Sequence, residues 1–332
     1  MRLSCETYKP PRAEQKEDIV PLVDVIIPFY NTPIGYVRQA IESVRAQTLQ
    51  DWRAVVVNDG SDAKSTEALD ALVRGLRDAR VEVVTSENRG LSAARNLGIE
   101  SSDSDFIAFL DSDDLWYPDK LRIQFDAMRD HPDVDLVHAS CDRLIGDGQC
   151  NIRQVPARDT GLNELTQREA CARMLRGNFV SGNTVMVRRS AGGEIGFFDA
   201  TFRSLEDKEM WSRWLIAGRR FLHLPVPLAV YRIHATNMSK NALHMRQGRM
   251  RLVHKIDTLL GGSSASPLAH WPRLRREMVF RANQETAEAY LDSRTYVQAL
   301  RYAMPWHSGL SMHSARLVTL AVLGGLRIRR SA

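Results

Sequence analysis

Four short, nearly all-apolar runs punctuate the first 110 residues: Val23-Asp24-Val25-Ile26-Ile27, Ala54–Val57, Val81–Val84 and Phe106–Leu110. Their length and β-branched content predict strands, and the scarcity of polar alternation predicts strands covered on both faces. Between them the period changes to that of a helix. Ile34, Val37, Ile41 and Val44 recur on one face behind Thr32-Pro33, which reads as an N-cap followed by proline at the first helical position. Ala68, Leu69, Leu72, Val73 and Leu76 mark a second helix, and Leu91–Ile99 a short third one. Strand and helix therefore alternate as βαβ units, the pattern of a mainly parallel α/β sheet with a nucleotide-binding half.

Farther along, the pattern predicts a helix over Leu121–Met128, a strand near Leu136-Val137-His138 and a loop or hairpin across the Gly-rich stretch Gly146–Gly161. A helix over Glu206–Ala217 and a strand over Leu228–Tyr231 follow. Beyond about Asn241 the composition shifts to basic, helix-forming sequence carrying Arg246, Arg249, Arg251, Lys255, Arg273, Arg275 and Arg276. Three spans result: a polar extension over 1–22, an α/β domain over 23–240 and a basic helical region over 241–332. Gly261-Gly262-Ser263-Ser264 reads as a linker within the last, and Ala287, Tyr290, Leu291, Tyr296, Ala299 and Leu300 as packed helical positions.

The composition, 44% hydrophobic and 26% charged over 332 residues, suits one large folded domain with an appendage and excludes wholesale disorder. A formal charge of +5 fits an anionic ligand, a phosphate-rich partner or an acidic membrane surface. Cys5, Cys141, Cys150 and Cys171 are scattered without zinc or redox spacing, as in a reducing cytosol. No early segment has the apolar core of a signal peptide and no run approaches the ~18 apolar residues of a membrane span, so the expected location is cytoplasmic. Leu317–Leu323, flanked by Arg316, Arg327, Arg329 and Arg330, fits either a last helix packed on the domain or on a second subunit, or a helix lying peripherally on the inner face of the membrane.

Three polar clusters follow three of the strands. Asp111-Ser112-Asp113-Asp114 leaves the strand ending at Leu110, at the edge where open α/β sheets bind ligands, and its carboxylates are the hard oxygen donors that Mg²⁺ or Mn²⁺ prefers. The same residues also suit a plain turn before Trp116-Tyr117-Pro118. Asn58-Asp59-Gly60-Ser61 ends the second strand with a turn whose carboxylate can accept a hydrogen bond from a base. Glu87–Asn96 carries a glycine turn into a helix whose first amides attract phosphate, with Arg95 as a fixed cation or as the partner of a local carboxylate.

In this order and spacing, Val25–Asn31, Asn58–Ser61, Asn88-Arg89-Gly90 with Ala94-Arg95-Asn96, and Asp111–Asp114 resemble the motifs of family 2 glycosyltransferases with the inverting GT-A fold. The resemblance covers about residues 23 to 239. It implies a Rossmann-like half with a mixed, mainly parallel sheet, followed by a C-terminal helical extension. It implies donor contacts from Pro28, Tyr30, Asp59, Asn88, Gly90, Arg95, Asp111 and Ser112, with Asp59 meeting the base and Asp114 structural. Asp113, with Asp111 and with His234 of the segment Tyr231–Ser239, would hold Mn²⁺ or Mg²⁺. Gly182 and Asn183, in a segment matching the family's acceptor side, join Glu206 and Trp211 there. Asp207 would be the catalytic base, although acids at a helix start also complement the helix dipole. Asn58 departs from the acid frequent in the family at that position, which leaves that residue's own role in doubt.

The resemblance thus implies a metal-dependent inverting glycosyltransferase that moves a sugar from a nucleotide-sugar donor, a UDP-sugar foremost, to a hydroxyl of a glycan or lipid-linked acceptor in cell-surface polysaccharide synthesis. No nucleic-acid partner is expected. Two rival readings are a sugar nucleotidyltransferase, which would need a Gly-rich, Arg-bearing loop where Pro28-Phe29-Tyr30-Asn31 stands, and a non-catalytic nucleotide- or carbohydrate-binding relative.

Overall fold

A computed structural model describes residues 20–145, 152–153, 161–234, 241–261, 268, 271–292 and 302. In chain order the elements are β1 (Val23–Phe29), α1 (Ile34–Arg45), β2 (Trp52–Asp59), α2 (Ala63–Leu76), β3 (Val81–Ser86), α3 (Leu91–Glu100), β4 (Phe106–Phe109), β5 (Leu115–Trp116), α4 (Lys120–Asp130) and β6 (Leu136–Ile145). There follow β7 (Ile152–Arg153), α5 (Gln167–Arg176), a 3-10 turn (Gly182–Thr184), β8 (Met186–Arg188), α6 (Arg189–Gly192), α7 (Glu206–Ile216), β9 (Phe221–Ile233), α8 (Ala242–Leu260) and α9 (Trp271–Asp292).

The strands form one mixed sheet in the order β3-β2-β1-β4-β8-β6-β9-β5, with β7 paired to β6. β3, β2, β1 and β4 run parallel, and antiparallel pairing begins where β8 meets β4. The parallel half follows from crossovers through α1, α2 and α3, since parallel neighbours need a connection that returns the chain to the same end of the sheet. β1, β2 and β4 are covered on both faces, as their lack of alternation implies, whereas β3 at the edge of the sheet is only partly covered, with Glu82 and Thr85 exposed. Ile26, Val55, Val57, Ile107 and Phe109 face one core, and Val25, Ile27, Ala54, Val56 and Ala108 face the other.

Local details differ from the sequence-based reading, among them the last strand, expected over Leu228–Tyr231 and found over Phe221–Ile233. Thr32 does not cap α1: Pro33 is the N-cap residue and makes no side-chain cap, and the Thr32 hydroxyl is engaged 2.8 Å from Ser112 Oγ. The strand expected near Leu136–His138 runs to Ile145, because its outer half pairs with β9 and, through Arg143 and Leu144, with β7. The hairpin reading of Gly146–Gly161 is met in part by that β6–β7 pairing, and most of the stretch lies outside the described residues.

α8 and α9 join the core on the side of α7. Leu252, Val253, Ile256, Trp271, Leu274 and Met278 share one apolar cluster with Met210, Trp211, Trp214 and Leu215. Gly248 permits the close approach of α8, since a Cβ there would lie 2.9 Å from the backbone oxygen of Ser204. Residues 262–264 of the linker, Tyr296, Ala299, Leu300 and the basic segment from Arg316 to Arg330 lie outside the described residues. Among the described residues no helix is long and apolar enough to cross a membrane.

Candidate active site

The C-terminal ends of β1, β2 and β4, the start of α3, the turn before β8 and the start of α7 open onto one cleft of about 950 Å³. Pro28, Tyr30, Asp59, Asn88, Gly90, Arg95, Asp111, Ser112 and Asp113 line it, together with Gly182, Asn183, Glu206, Asp207 and His234. Side chains separated by up to about two hundred positions thus meet because parallel strands release their C-terminal loops at one edge.

Asp59 sits at the end of β2 and is 4% exposed. Its two carboxylate oxygens accept hydrogen bonds from the backbone N–H groups of Arg89 and Gly90 at 2.7 and 2.8 Å. The acid therefore shapes the turn entering α3, and only its remaining lone pairs face the cleft. Gly90 has φ of 89°, a conformation that L side chains rarely adopt, and Arg203 donates to the neighbouring Arg89 carbonyl. Tyr30, 55% exposed, lines the same cleft.

The four residues after Leu110 have separate surroundings. Asp111 binds Arg95, with Nη2 at 2.6 Å from Oδ1. Asp113 shares a 2.7 Å hydrogen bond with His234 Nε2. Asp114 is fully buried, accepting from Arg232 N at 2.8 Å and from Asn183 Nδ2 at 2.6 Å. Burial and the charges of Asp113 and Asp111 hold the Asp114 carboxyl well above the usual carboxylate range. Asp113 is also raised, by burial and by Asp111, against the pull of His234. Three acids in four residues thus create negative potential that the protein itself leaves only partly neutralised.

Arg95 joins this cluster to the opposite wall. It is 3% exposed, and its other terminal nitrogen lies 2.9 Å from Glu206 Oε1. Burial works against its charge, but Asp111 and Glu206 outweigh that, and the guanidinium is held above its ordinary range. Next to Glu206, Asp207 accepts from Asn178 Nδ2 at 2.8 Å and from Lys208 N at 2.6 Å. Burial and the adjacent Glu206 charge push its carboxyl up to about 6. The helix that carries the pair starts at Leu205, whose φ of 59° is strained for a branched apolar residue.

Trp211 is a correction. It is 0% exposed, lies within the core cluster with Trp214 and Phe198, and takes no part in lining the cleft: it shares a face of α7 with Asp207 but sits one turn farther from the helix start, where that face is covered by the core. Arg95 is likewise less free than a phosphate-binding cation, since two carboxylates already hold it. Asn183 faces the cleft but commits its amide to Asp114. Sequence reading did not single out Asn178, Lys208, Arg176, Met245, Arg281 or Glu285, which also line the cleft. The basic character of 241–332 was the available signal, but which of its cations reach the cleft depends on how α8 and α9 pack.

The fit of a divalent cation rests on the donor set. Among the described residues no three His, Cys, Asp or Glu side chains converge as a ready-made cluster. Asp113 and His234, however, share one hydrogen bond in the lining of the cleft, and Asp113 is raised by burial and then by its acidic neighbour Asp111. A cation replacing the shared proton would relieve that repulsion with oxygen and imidazole ligands suited to Mg²⁺ or Mn²⁺.

Comparison with known proteins agrees with this arrangement. The sequence profile described as Glycosyl transferase family 2 matches residues 24–196, just over half of the chain. The succinoglycan biosynthesis protein ExoW of Rhizobium meliloti is 42% identical over 106 residues, 31% of this chain and 33% of that protein. The chain spans a third or less of the length of the first curated relatives it matches. Among solved structures, the mannosyltransferase PcManGT from Pyrobaculum calidifontis, in complex with GDP-Man and Mn²⁺, superposes with a TM-score of 0.61 at 18% identity, covering 95% of this chain and 83% of that one. TarS 1-349 of S. aureus, in complex with UDP-GlcNAc, gives a TM-score of 0.60 at 16% identity, covering 93% and 92%. The fold is that of GT-A enzymes.

Proposed function

This chain belongs to glycosyl transferase family 2, and on that premise we propose that it transfers a sugar from a nucleoside-diphosphate donor to an acceptor hydroxyl, with inversion, using Asp207 as general base and Asp113 at the leaving diphosphate. The observation that carries this reading is the pairing of two acidic centres across one cleft, Asp113 and Asp207, with Arg95 tied to the neighbour of each. One centre is crowded by like charge and suits a cation. The other is a carboxylate raised to about 6, suited to taking a proton near neutral pH.

In this mechanism Tyr30 and the Asp59-shaped turn hold the nucleoside. Asp113, with Asp111 and His234, would bind Mn²⁺ or Mg²⁺. When bound, the ion supplies positive charge against the departing diphosphate. Asn178 and the Lys208 amide orient the Asp207 carboxylate, which accepts the acceptor's hydroxyl proton as the oxygen attacks the anomeric carbon. Attack and departure on opposite faces invert the configuration. The donor favoured is a UDP-sugar and the acceptor a glycan or lipid-linked glycan of a cell-surface polysaccharide, with transfer on the cytoplasmic side.

A thermal-shift screen of nucleotide sugars with and without Mn²⁺ tests the reading, because a ligand that binds only the native state raises the unfolding temperature. At least one nucleoside-diphosphate sugar should stabilise the protein, and more strongly with Mn²⁺. Stabilisation by nucleoside triphosphates alone would point instead to nucleotidyl transfer.

A further inference from the structure

Besides the acids, the cleft is lined by Lys208 from α7, Arg176 from the end of α5, Arg249 from α8, and Arg281 and Glu285 from α9. These charges are unevenly paired. Arg176 binds Glu277 at 3.1 Å, outside the cleft, and Arg249 binds Glu285. Arg281 makes no ion pair among the described residues, and its Nη1 donates to the Arg176 carbonyl at 2.7 Å. Lys208 is only 7% exposed, and its ammonium donates to the Leu175 carbonyl at 2.9 Å with no carboxylate within ion-pair distance among the described residues.

A nearly buried ammonium without a paired carboxylate is costly to keep. Here the cost is sharpened by its neighbours. Burial lowers Lys208 to about 8, and Arg249 and Arg281 lower it further than Asp207 and Glu285 restore it. The wall therefore carries positive charge in want of an anion, within the same cleft as Asp207. Its elements matter, since these cations come from α7, α8 and α9, whereas the donor's diphosphate is already provided for by Asp113 after β4.

We propose that the acceptor is itself anionic, carrying a phosphate or carboxylate group that Lys208, Arg249 and Arg281 bind while its hydroxyl faces Asp207. This rests on the reading of the cleft as a donor-and-acceptor site. Arginine and lysine suit the role through charge-assisted hydrogen bonds to oxyanions, and among the described residues Arg281 commits only Nη1 of its fork of donors. A second cavity of about 590 Å³ shares Arg176, Arg281 and Glu285 with the cleft, so these side chains stand between two hollows of the surface.

The test is calorimetric, on the full chain saturated with UDP and Mn²⁺, with glucose 1-phosphate, glucuronic acid and methyl glucoside as probes. An anionic probe should bind at least tenfold more tightly than the neutral one, and the better of the two anions identifies the group. Arg281→Gln should remove that preference and Arg281→Lys should retain part of it, while the affinity for UDP stays unchanged in both. Glu285→Gln, which deletes the acid from the wall, should strengthen anion binding severalfold. Equal binding of all three probes, or no saturable binding of any, overturns the proposal. A loss of UDP affinity in Arg281→Gln also overturns it, by assigning the cation to the donor. Failure of UDP and Mn²⁺ to bind the unaltered protein would instead strike at the proposed function itself.

Discussion

Arg95 and Glu206, 111 positions apart, form a buried ion pair at 2.9 Å that fastens the start of α7 to α3. Because the same guanidinium binds Asp111 at 2.6 Å, the two acidic centres of the cleft are set by a single side chain. Breaking a buried pair by removing one partner leaves the other charge unpaired, at a cost of about 3–5 kcal/mol. Arg95→Ala should therefore lower the unfolding free energy measured by urea titration by an amount within that range. Arg95→Lys should recover little, because a single ammonium cannot reproduce the planar fork that spans two carboxylates.

Asp207→Asn separates turnover from binding. The variant should retain nucleotide affinity and lose about 10²–10⁴ in kcat, measured by release of nucleoside diphosphate. A variant within threefold of the parent would remove Asp207 from the role of base. In the parent, kcat should fall about tenfold per unit of pH below about 6, where the carboxylate becomes protonated.

The same carboxylate makes a stability prediction of opposite sign. Its folded-state pKa is raised, so between the ordinary value of 3.8 and about 6 the native protein holds a proton that the unfolded chain releases. The stability this protonation contributes is full below the unfolded value and is lost as pH rises to about 6, leaving an ionised carboxylate that weakens the fold at pH 7. Asp207→Asn should then be more stable than the parent at pH 7, by about 1 kcal/mol after allowance for its partial exposure, and the gain should vanish near pH 4. Urea unfolding at the two pH values checks this.

At the other centre, Asp113→Ala should abolish the Mn²⁺-dependent part of UDP binding seen by calorimetry, and His234→Ala should weaken it about tenfold, as removal of one ligand or its orienting partner does. Metal chelation should reduce the parent's affinity to the level of Asp113→Ala. Unchanged UDP affinity in both variants would exclude these side chains from the cation site.

Gly90→Ala probes the turn that Asp59 holds. With φ at 89° and Arg203 packed against the position where a Cβ would stand, the substitution should cost about 1–3 kcal/mol of stability. It should also weaken UDP binding, because the Arg89 and Gly90 amides could no longer both reach the Asp59 carboxylate.

The apolar runs at Val23, Ala54, Val81 and Phe106 and the helical periods between them announced the parallel half of the sheet, because burial on both faces imposes a composition that can be read position by position. The acids and glycines that end those strands announced its ligand-binding edge for the same local reason: a turn must be built from particular residue types. Partnership was not legible. Trp211, expected at the acceptor side, is core, because it sits one turn deeper along α7 than Asp207, where packing against Phe198 and Trp214 covers the same helix face. Arg95 could have faced solvent, a phosphate or a carboxylate, and only the approach of α7 selected Glu206. Arg249 reads as one of many charges of a basic region, and nothing in the sequence marks Lys208 or Arg281; the packing of α8 and α9 on α7 brings all three to one cleft. Periodicity and turn chemistry are written within a few residues of one another, whereas pairing of charges depends on long-range packing and desolvation that exist only once the chain has folded.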